Sequence, residues 1–223
     1  MDNLYEMLNS NFTPEVKNNI YNNINIAIIA LKQILSTNND FFNYTKFTSI
    51  FGQLQSYAVE RQLFLASSLP SSGYVVDNIL VNNYGFKVSV LKTSDFICSI
   101  GRPYKNSPLL NKSNYKVDFS KGNYGVNSNQ LMLDLNNINL NDKFIPFIGQ
   151  PKYAQILYYY DFNNNEFKQL KIVVPDSSYK VPLTTIDILD LKQSYKDYTN
   201  TEQEELLPRL KEELLVKLQK DLG

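Results

Sequence analysis

The chain has 223 residues, and its hydrophobic content of 43% and aromatic content of 13% are typical of a globular protein with a buried core. Its 22 basic and 22 acidic residues balance, so the overall charge favours neither a nucleic-acid coat nor an acidic ligand. Histidine is absent and cysteine occurs once, which excludes histidine-dependent catalysis, an intrachain disulfide and most zinc and iron sites.

The sequence carries no sign of a membrane or secretory route. No apolar run reaches the length of about 18 residues that a membrane-spanning helix needs. Residues 1–10 are polar and acidic and lack the basic region and apolar core of a signal peptide. Because a single cysteine also suits a reducing compartment, we expect a cytoplasmic protein. The abundance of Asn, Ile and Tyr, whose codons are AT-rich, indicates a low-GC bacterium or its phage.

Helices are predicted in the first part of the chain. A short helix is expected over residues 2–9. A firmer one begins at Thr13 and Pro14, which suit the N-cap and the first helical position, and its apolar residues then recur at helical spacing. Another helix is predicted over residues 45–68, before the proline and glycine of Leu69–Gly73 stop it. Two helices joined by a short polar break indicate a helical hairpin.

From Tyr74 onward the apolar period shortens from about 3.6 residues to about 2, which predicts β-strands. Cys98 lies in one such apolar run, and we expect it to be a small buried core residue. Residues 101–126 show no clear period and are predicted to be irregular. The strands predicted in this part of the chain are residues 74–81, 86–91, 95–100 and 143–148, whereas residues 130–140 fit either a strand or a helix.

A β-hairpin is predicted over residues 153–175. Its apolar runs, Ile156–Tyr160 and Leu170–Val174, are rich in Tyr, Ile and Val, which suit a pleated and half-buried surface. The tip, Asp161–Glu166, contains three consecutive asparagines, which tolerate the left-handed backbone of tight turns. We expect this hairpin to lie at the centre of the sheet. Residues 177–192, which follow it, fit either a helical turn or an edge strand.

The C-terminal residues predict an amphipathic helix. Residues 201–204 form a capping-box pattern, and Pro208 either kinks the helix or marks its true start. A stripe of leucines follows at helical spacing: Leu207, Leu210, Leu214 and Leu218. Such a stripe usually packs on the core of its own chain, and the alternative is that it makes the protein a homo-oligomer.

The order of these elements predicts an α+β fold: an N-terminal helical hairpin packed on a mostly antiparallel β-sheet, followed by a C-terminal amphipathic helix. We expect residues 1–199 to form a single domain, with a helical part up to residue 70 and a β-rich part over 74–176. Residues 200–223 would add the C-terminal helix.

The first candidate site is the basic segment, residues 101–125, where aromatic residues are interleaved with cations and Asp118 is the single acid. Its cations could hold a phosphate backbone while its rings stack on bases, and the planar guanidinium of Arg102 suits phosphate best. The residues predicted to bind nucleic acid or phosphate are Arg102, Lys105, Lys112, Tyr115, Lys116 and Lys121. The alternative interpretation is a solvated loop whose aromatic side chains cover the sheet.

The second candidate site is acidic. Nucleases of the PD-(D/E)xK type place an aspartate and a Glu-x-Lys or Asp-x-Lys triplet on adjacent strands, where the carboxylates hold Mg²⁺ and the lysine steadies the attacking water. Glu166 and Lys168 supply such a triplet, and Asp161 lies on the facing strand end. Glu60 or Asp77 would assist. A hairpin tip is a poor place for a catalytic cleft, because charges there are normally solvated.

Three patches resemble an uncharacterised protein family of low-GC Gram-positive bacteria and their phages. They are residues 51–60, then Ile100–Arg102 with the loop to Asn123, and finally residues 156–176. This resemblance implies a domain of unknown function with no established catalytic residues.

These observations favour a non-enzymatic binding or accessory protein, encoded by a phage or mobile element, that uses the basic segment to engage nucleic acid or a protein partner. It would need neither a metal nor a cofactor. The alternative is a Mg²⁺-dependent nuclease or phosphodiesterase that uses Asp161, Glu166 and Lys168 with Glu60. A third hypothesis is a structural protein that assembles through its C-terminal helix.

Overall fold

The computed structural model describes residues 2–37, 45–81, 85–104, 107–124, 151–189 and 207–222. The α-helices in these ranges are α1 (Asp2–Asn11), α2 (Pro14–Thr37), α3 (Thr45–Ala66), α4 (Asn114–Ser120) and α5 (Leu207–Leu222). The strands are β1 (Val75–Leu80), β2 (Lys87–Lys92), β3 (Phe96–Gly101), β4 (Lys152–Asp161), β5 (Glu166–Pro175) and β6 (Pro182–Asp187). Short 3-10 turns occupy Pro70–Ser72 and Lys121–Asn123.

The six strands form one sheet in the order of the sequence, β1 to β6. The pairs β2–β3, β4–β5 and β5–β6 are antiparallel, whereas β3 and β4 run parallel from Phe96 opposite Lys152 to Gly101 opposite Leu157. Because neighbouring parallel strands need a crossover connection, the chain between β3 and β4 must return to the end of the sheet from which β3 started. The basic segment is the first part of this crossover.

The predicted α+β class is confirmed, with N-terminal helices, a mostly antiparallel sheet and a C-terminal helix. The hairpin of β4 and β5 lies inside the sheet, as predicted. No helix in the described ranges is both long and apolar enough to cross a bilayer. Residues 177–192 fit either a helical turn or an edge strand, and the strand interpretation is right for residues 182–187, which form β6, the outermost described strand beside β5. Residues 190–192 lie outside the described ranges.

The prediction of an irregular chain over residues 101–126 is wrong for residues 114–123, which form α4 and a 3-10 turn. A helix of seven residues completes only two turns, so its apolar residues are too few to show a helical period. The predicted elements at residues 130–140, 143–148 and 201–204 lie outside the described residues.

The chain divides into two compact units: a sheet unit of residues 1–13 and 78–189, and a helical unit of residues 14–77 and 190–223. The predicted domain boundary at residue 199 stays a prediction. Cys98 lies fully buried in the sheet unit, as expected of a core residue. Burial raises the pKa of its thiol, so the protonated form is favoured.

The helical unit consists mainly of α2, α3 and α5. Helix α2 buries one broad face, which includes Ile20, Ile24 and Leu31, none of which is exposed to solvent. On α5, Leu210 and Leu214 are equally buried. These two leucines of the predicted stripe therefore pack within their own chain, and homo-oligomerisation through the C-terminal helix stays a prediction.

An ion pair joins α3 to α5. The Arg61 guanidinium donates from both Nε and Nη2 to the Glu213 carboxylate, with Nη2 2.7 Å from Oε1. Arg209 lies one helical turn from Glu213, with its Nε 3.4 Å from the same carboxylate. The hydrogen bonds from Arg61 hold the pKa of Glu213 below its ordinary value. A carboxyl with a depressed folded-state pKa stabilises the protein above its unfolded-state pKa, and this stabilisation is lost as the pH falls through the folded-state value.

We expect Glu213→Gln to lower the free energy of unfolding at pH 7 by about 1 kcal/mol, because the pair is partly solvated. The deficit should be smaller at pH 3, because the stabilisation by this carboxyl declines once the pH falls below the ordinary glutamate pKa of about 4.3. Urea denaturation at both pH values measures the difference. Glu212→Gln, an exposed neighbour on the same helix, is the matched control. Equal stability of the two variants at pH 7 would show that the ion pair contributes nothing.

Candidate functional site

The basic segment leaves the sheet at the end of β3 and is held against it at Leu109 and Leu110, which are each 5% exposed. A short turn precedes them, in which the Ser107 hydroxyl donates to the Leu109 carbonyl over 2.7 Å. Leu110 packs so closely on Gly101 that a Cβ there would lie 3.1 Å from Leu110 Cδ2. Glycine at position 101 therefore allows the segment to fold back onto the strand that it has just left.

Helix α4 continues this attachment through one face. Val117 and Phe119 pack against a buried cluster that consists of Leu109, Leu110, Tyr153, Leu157, Val173 and Tyr179. The rings of Phe119 and Tyr153 lie 5.7 Å apart, and Tyr115 meets Phe119 edge-on at 5.8 Å. The interpretation that aromatic residues of the segment cover the sheet is thus right for Phe119. Tyr104, by contrast, is 63% exposed.

Asn123 fastens the end of the segment between β4 and β5. Its side-chain amide donates to the carbonyls of Tyr153, at 2.9 Å, and Pro175, at 2.8 Å, and its side-chain oxygen accepts from the Tyr153 N–H at 2.8 Å. Gln155 and Val173 face each other in the β4–β5 ladder. Tyr153 lies two residues before Gln155 and Pro175 lies two residues after Val173, so both are at the same end of the ladder. Because proline has no N–H, it cannot donate to the Tyr153 carbonyl, and the Asn123 side chain supplies that donor.

Gln155 and Tyr179 hold the segment at its middle. Gln155 lies on β4 and is fully buried, and its side-chain oxygen accepts from the Leu110 N–H at 3.0 Å. The Tyr179 hydroxyl donates to the Leu110 carbonyl, also at 3.0 Å. Gln155 Nε2 in turn donates to the Tyr179 oxygen at 2.6 Å. Both main-chain groups of Leu110 are therefore satisfied by buried side chains.

The cations of the segment differ in exposure. Lys112 and Lys121 are exposed, and Lys121 Nζ lies 2.7 Å from the carboxylate of Asp118. Arg102 is half-buried. Lys116 donates to the Asn111 carbonyl at 2.8 Å, and partial burial lowers the pKa of its amine. Tyr115, also half-buried, lies beside Lys116 with its ring centre 5.6 Å from the amine, while Lys105 is outside the described residues.

The acidic candidates at the hairpin tip are arranged as a turn. Asp161 Oδ1 accepts from the N–H groups of Asn163, at 3.0 Å, and Asn164, at 3.3 Å. The Asn164 side chain also donates to the Asp161 carboxylate and is the main cause of its lowered pKa. Asn165 adopts the expected left-handed conformation, with φ of 55°. The Asp161 carboxylate thus closes the turn.

The structure brings three of the four predicted nuclease residues to this tip. Glu166 forms an exposed ion pair with Lys168, and Asp161 lies opposite Glu166 in the β4–β5 ladder. Glu60 is half-buried on α3 and belongs to the helical unit, and Asp77 is exposed on β1. Among the described residues, no three acidic or cysteine side chains come together in a group that could hold a metal ion. The Mg²⁺-dependent nuclease stays a prediction.

No protein-family model, curated protein or solved structure matches this chain. The resemblance to an uncharacterised family of Gram-positive bacteria and phages stays a prediction.

Three residues that organise the basic segment are missing from the sequence-based candidates: Asn123, Gln155 and Tyr179. Gln155 carried a usable signal, because it is a polar residue inside an otherwise apolar strand and such residues are usually hydrogen-bonded when buried. Asn123 and Tyr179 carried none, since each lies among other Asn, Ser, Lys and Tyr residues.

Proposed function

We propose that this protein is a binding protein whose basic segment holds the phosphate groups of a nucleic acid, and that it acts without catalysis. The observation that carries this proposal is the attachment of Lys112, Lys116 and Lys121 to an ordered scaffold. Leu109 and Leu110 anchor the chain before these lysines, and Asn123 anchors it after them.

Charge supports the proposal locally, although the chain as a whole is neutral. The described part of the segment contains Arg102 and three lysines against the single acid Asp118. Charges act over a screening length of about 10 Å at 0.1 M salt, so a ligand at this surface responds to the segment more than to distant acids. Contacts to phosphate supply most of the affinity of sequence-independent nucleic-acid binding.

Order in the segment also favours binding. A flexible cationic loop loses conformational entropy when it closes on a ligand, whereas a loop already packed on a sheet loses less. The ring of Tyr104 is exposed to solvent, and an exposed aromatic ring suits stacking on any base. We therefore expect single-stranded nucleic acid to bind better than duplex, whose bases are already stacked.

Fluorescence anisotropy tests the proposal with a labelled single-stranded DNA of 20 nucleotides, its RNA equivalent and a 20-base-pair duplex. We expect saturable binding that weakens as salt is added. Polyglutamate of similar charge serves as the competitor control. Absence of binding to all three nucleic acids would refute the proposal. If polyglutamate competes for the protein as effectively as nucleic acid of similar charge, the binding is non-specific ion exchange. A protein partner would then be the remaining version of the binding hypothesis.

A further inference from the structure

We infer that Gln155 and Tyr179 form a latch that positions the basic segment, and that this latch sets the affinity of the surface proposed above for nucleic acid. The effect on affinity rests on the proposed function, whereas the effect on the order of the segment does not. The two residues would be positioning residues, since neither belongs to the segment.

The latch is a closed ring of hydrogen bonds. The Leu110 N–H donates to Gln155, Gln155 donates to the Tyr179 oxygen, and the Tyr179 hydroxyl donates back to the Leu110 carbonyl. Gln155 is not exposed at all, and Tyr179 is only 6% exposed. A polar group that loses its partner at such a buried position is costly, so the ring favours one position of Leu110 over others.

The backbone at Tyr179 is held in an unusual conformation that serves this ring. Tyr179 has φ of 56°, in the left-handed region that a bulky residue rarely adopts. The Asp176 carboxylate stabilises the turn by accepting from the N–H groups of Lys180, at 2.6 Å, and Val181, at 3.0 Å. A strained backbone that its neighbours fix in this way points to a role for the side chain that it places.

The latch acts at the point that determines where the cations lie. Leu110 is two residues before Lys112, and Ser113 and Asn114 lead from there directly into α4. Hydrophobic packing of Leu110 and Val117 alone would permit small shifts along the sheet, because apolar contacts are not directional. Hydrogen bonds to both main-chain groups of Leu110 remove that freedom.

Tyr179→Phe tests the inference, because it removes the hydroxyl and keeps the ring. Tyr74→Phe is the matched control: Tyr74 is 4% exposed, its oxygen accepts from Asn23, and it lies in the helical unit. We expect Tyr179→Phe to speed hydrogen exchange of the Leu110 amide about tenfold. We expect it to weaken binding of the single-stranded 20-mer about fivefold, while Tyr74→Phe leaves both quantities unchanged.

The outcomes separate the latch from the proposed function. Faster exchange at Leu110 together with weaker binding, in Tyr179→Phe alone, supports the inference. Unchanged exchange at Leu110 in Tyr179→Phe overturns the latch, whether or not the wild type binds the 20-mer. Faster exchange with unchanged affinity overturns its role in binding and leaves the proposed function intact. If the wild-type protein does not bind the 20-mer, the proposed function fails, and the hydrogen-exchange rate of the Leu110 amide alone tests the latch.

Discussion

Replacing Asn123 with alanine is expected to lower the free energy of unfolding by about 3–5 kcal/mol, the largest loss of stability that we predict for this protein. The change removes three buried hydrogen bonds of 2.8–2.9 Å. It leaves the N–H and carbonyl of Tyr153 and the carbonyl of Pro175 without the partner that they now share. The sheet cannot repair this loss by pairing these two strands further, because Pro175 has no N–H to donate.

Urea denaturation followed by far-ultraviolet circular dichroism measures this effect. Asn114→Ala is the control, because Asn114 is an exposed asparagine on the neighbouring helix α4. Asn123→Asp sharpens the test, since a carboxylate keeps the acceptor for the Tyr153 N–H and loses both donors. We expect the aspartate variant to be at least as unstable as the alanine variant, because it also buries a charge. A stability of Asn123→Ala within about 1 kcal/mol of the control would contradict the role assigned to this side chain.

The second large effect concerns binding. Lys112→Glu combined with Lys121→Glu is expected to weaken binding of single-stranded nucleic acid about 100-fold at low salt, because two attractive charges become repulsive. Both lysines are exposed, so the substitution should leave the fold intact. The measurement is the same anisotropy titration, in a buffer of fixed ionic strength.

A control with the same change in net charge is available within the sheet unit. Lys87 is exposed on β2, and Lys168 is an exposed lysine paired with an acid two residues away, much as Lys121 is paired with Asp118. The double variant Lys87→Glu with Lys168→Glu should change the affinity less than about threefold, as expected for charges outside the contact surface. If both double variants weaken binding equally, the basic segment is not the binding surface.

Local patterns in the sequence were sufficient to predict the elements whose conformation is determined by their own residues. The β4–β5 hairpin was predictable because apolar runs of strand type flank an asparagine-rich tip, and Asn165 adopts the left-handed conformation that such a tip suggests. The start of α2 was predictable because Thr13 and Pro14 suit the N-cap and the first helical position, and both preferences depend only on residues within one helical turn.

Features that depend on distant partners were not predictable. The parallel pairing of β3 with β4 joins residues more than 50 positions apart, and the periodicity of apolar residues along the chain does not indicate it. Helix α4 is stabilised by the packing of Val117 and Phe119 on the buried cluster that includes Tyr153 and Val173. Its own sequence therefore gives only a weak helical signal. The six basic and aromatic candidates were visible in the sequence, and Gln155 carried a signal as a polar residue in an apolar strand. Asn123 and Tyr179, which also hold the segment in place, carried none.

The salt dependence of the affinity reveals whether the basic segment binds phosphate groups. With about four cations at the surface and a slope of about 0.7 per phosphate contact, the logarithm of the association constant should fall with the logarithm of the salt concentration with a slope near −3. Arg102→Gln combined with Lys116→Gln should flatten this slope by about 1.4. Binding that does not respond to salt, or an unchanged slope in the double variant, would show that the cations of the basic segment do not hold phosphate groups.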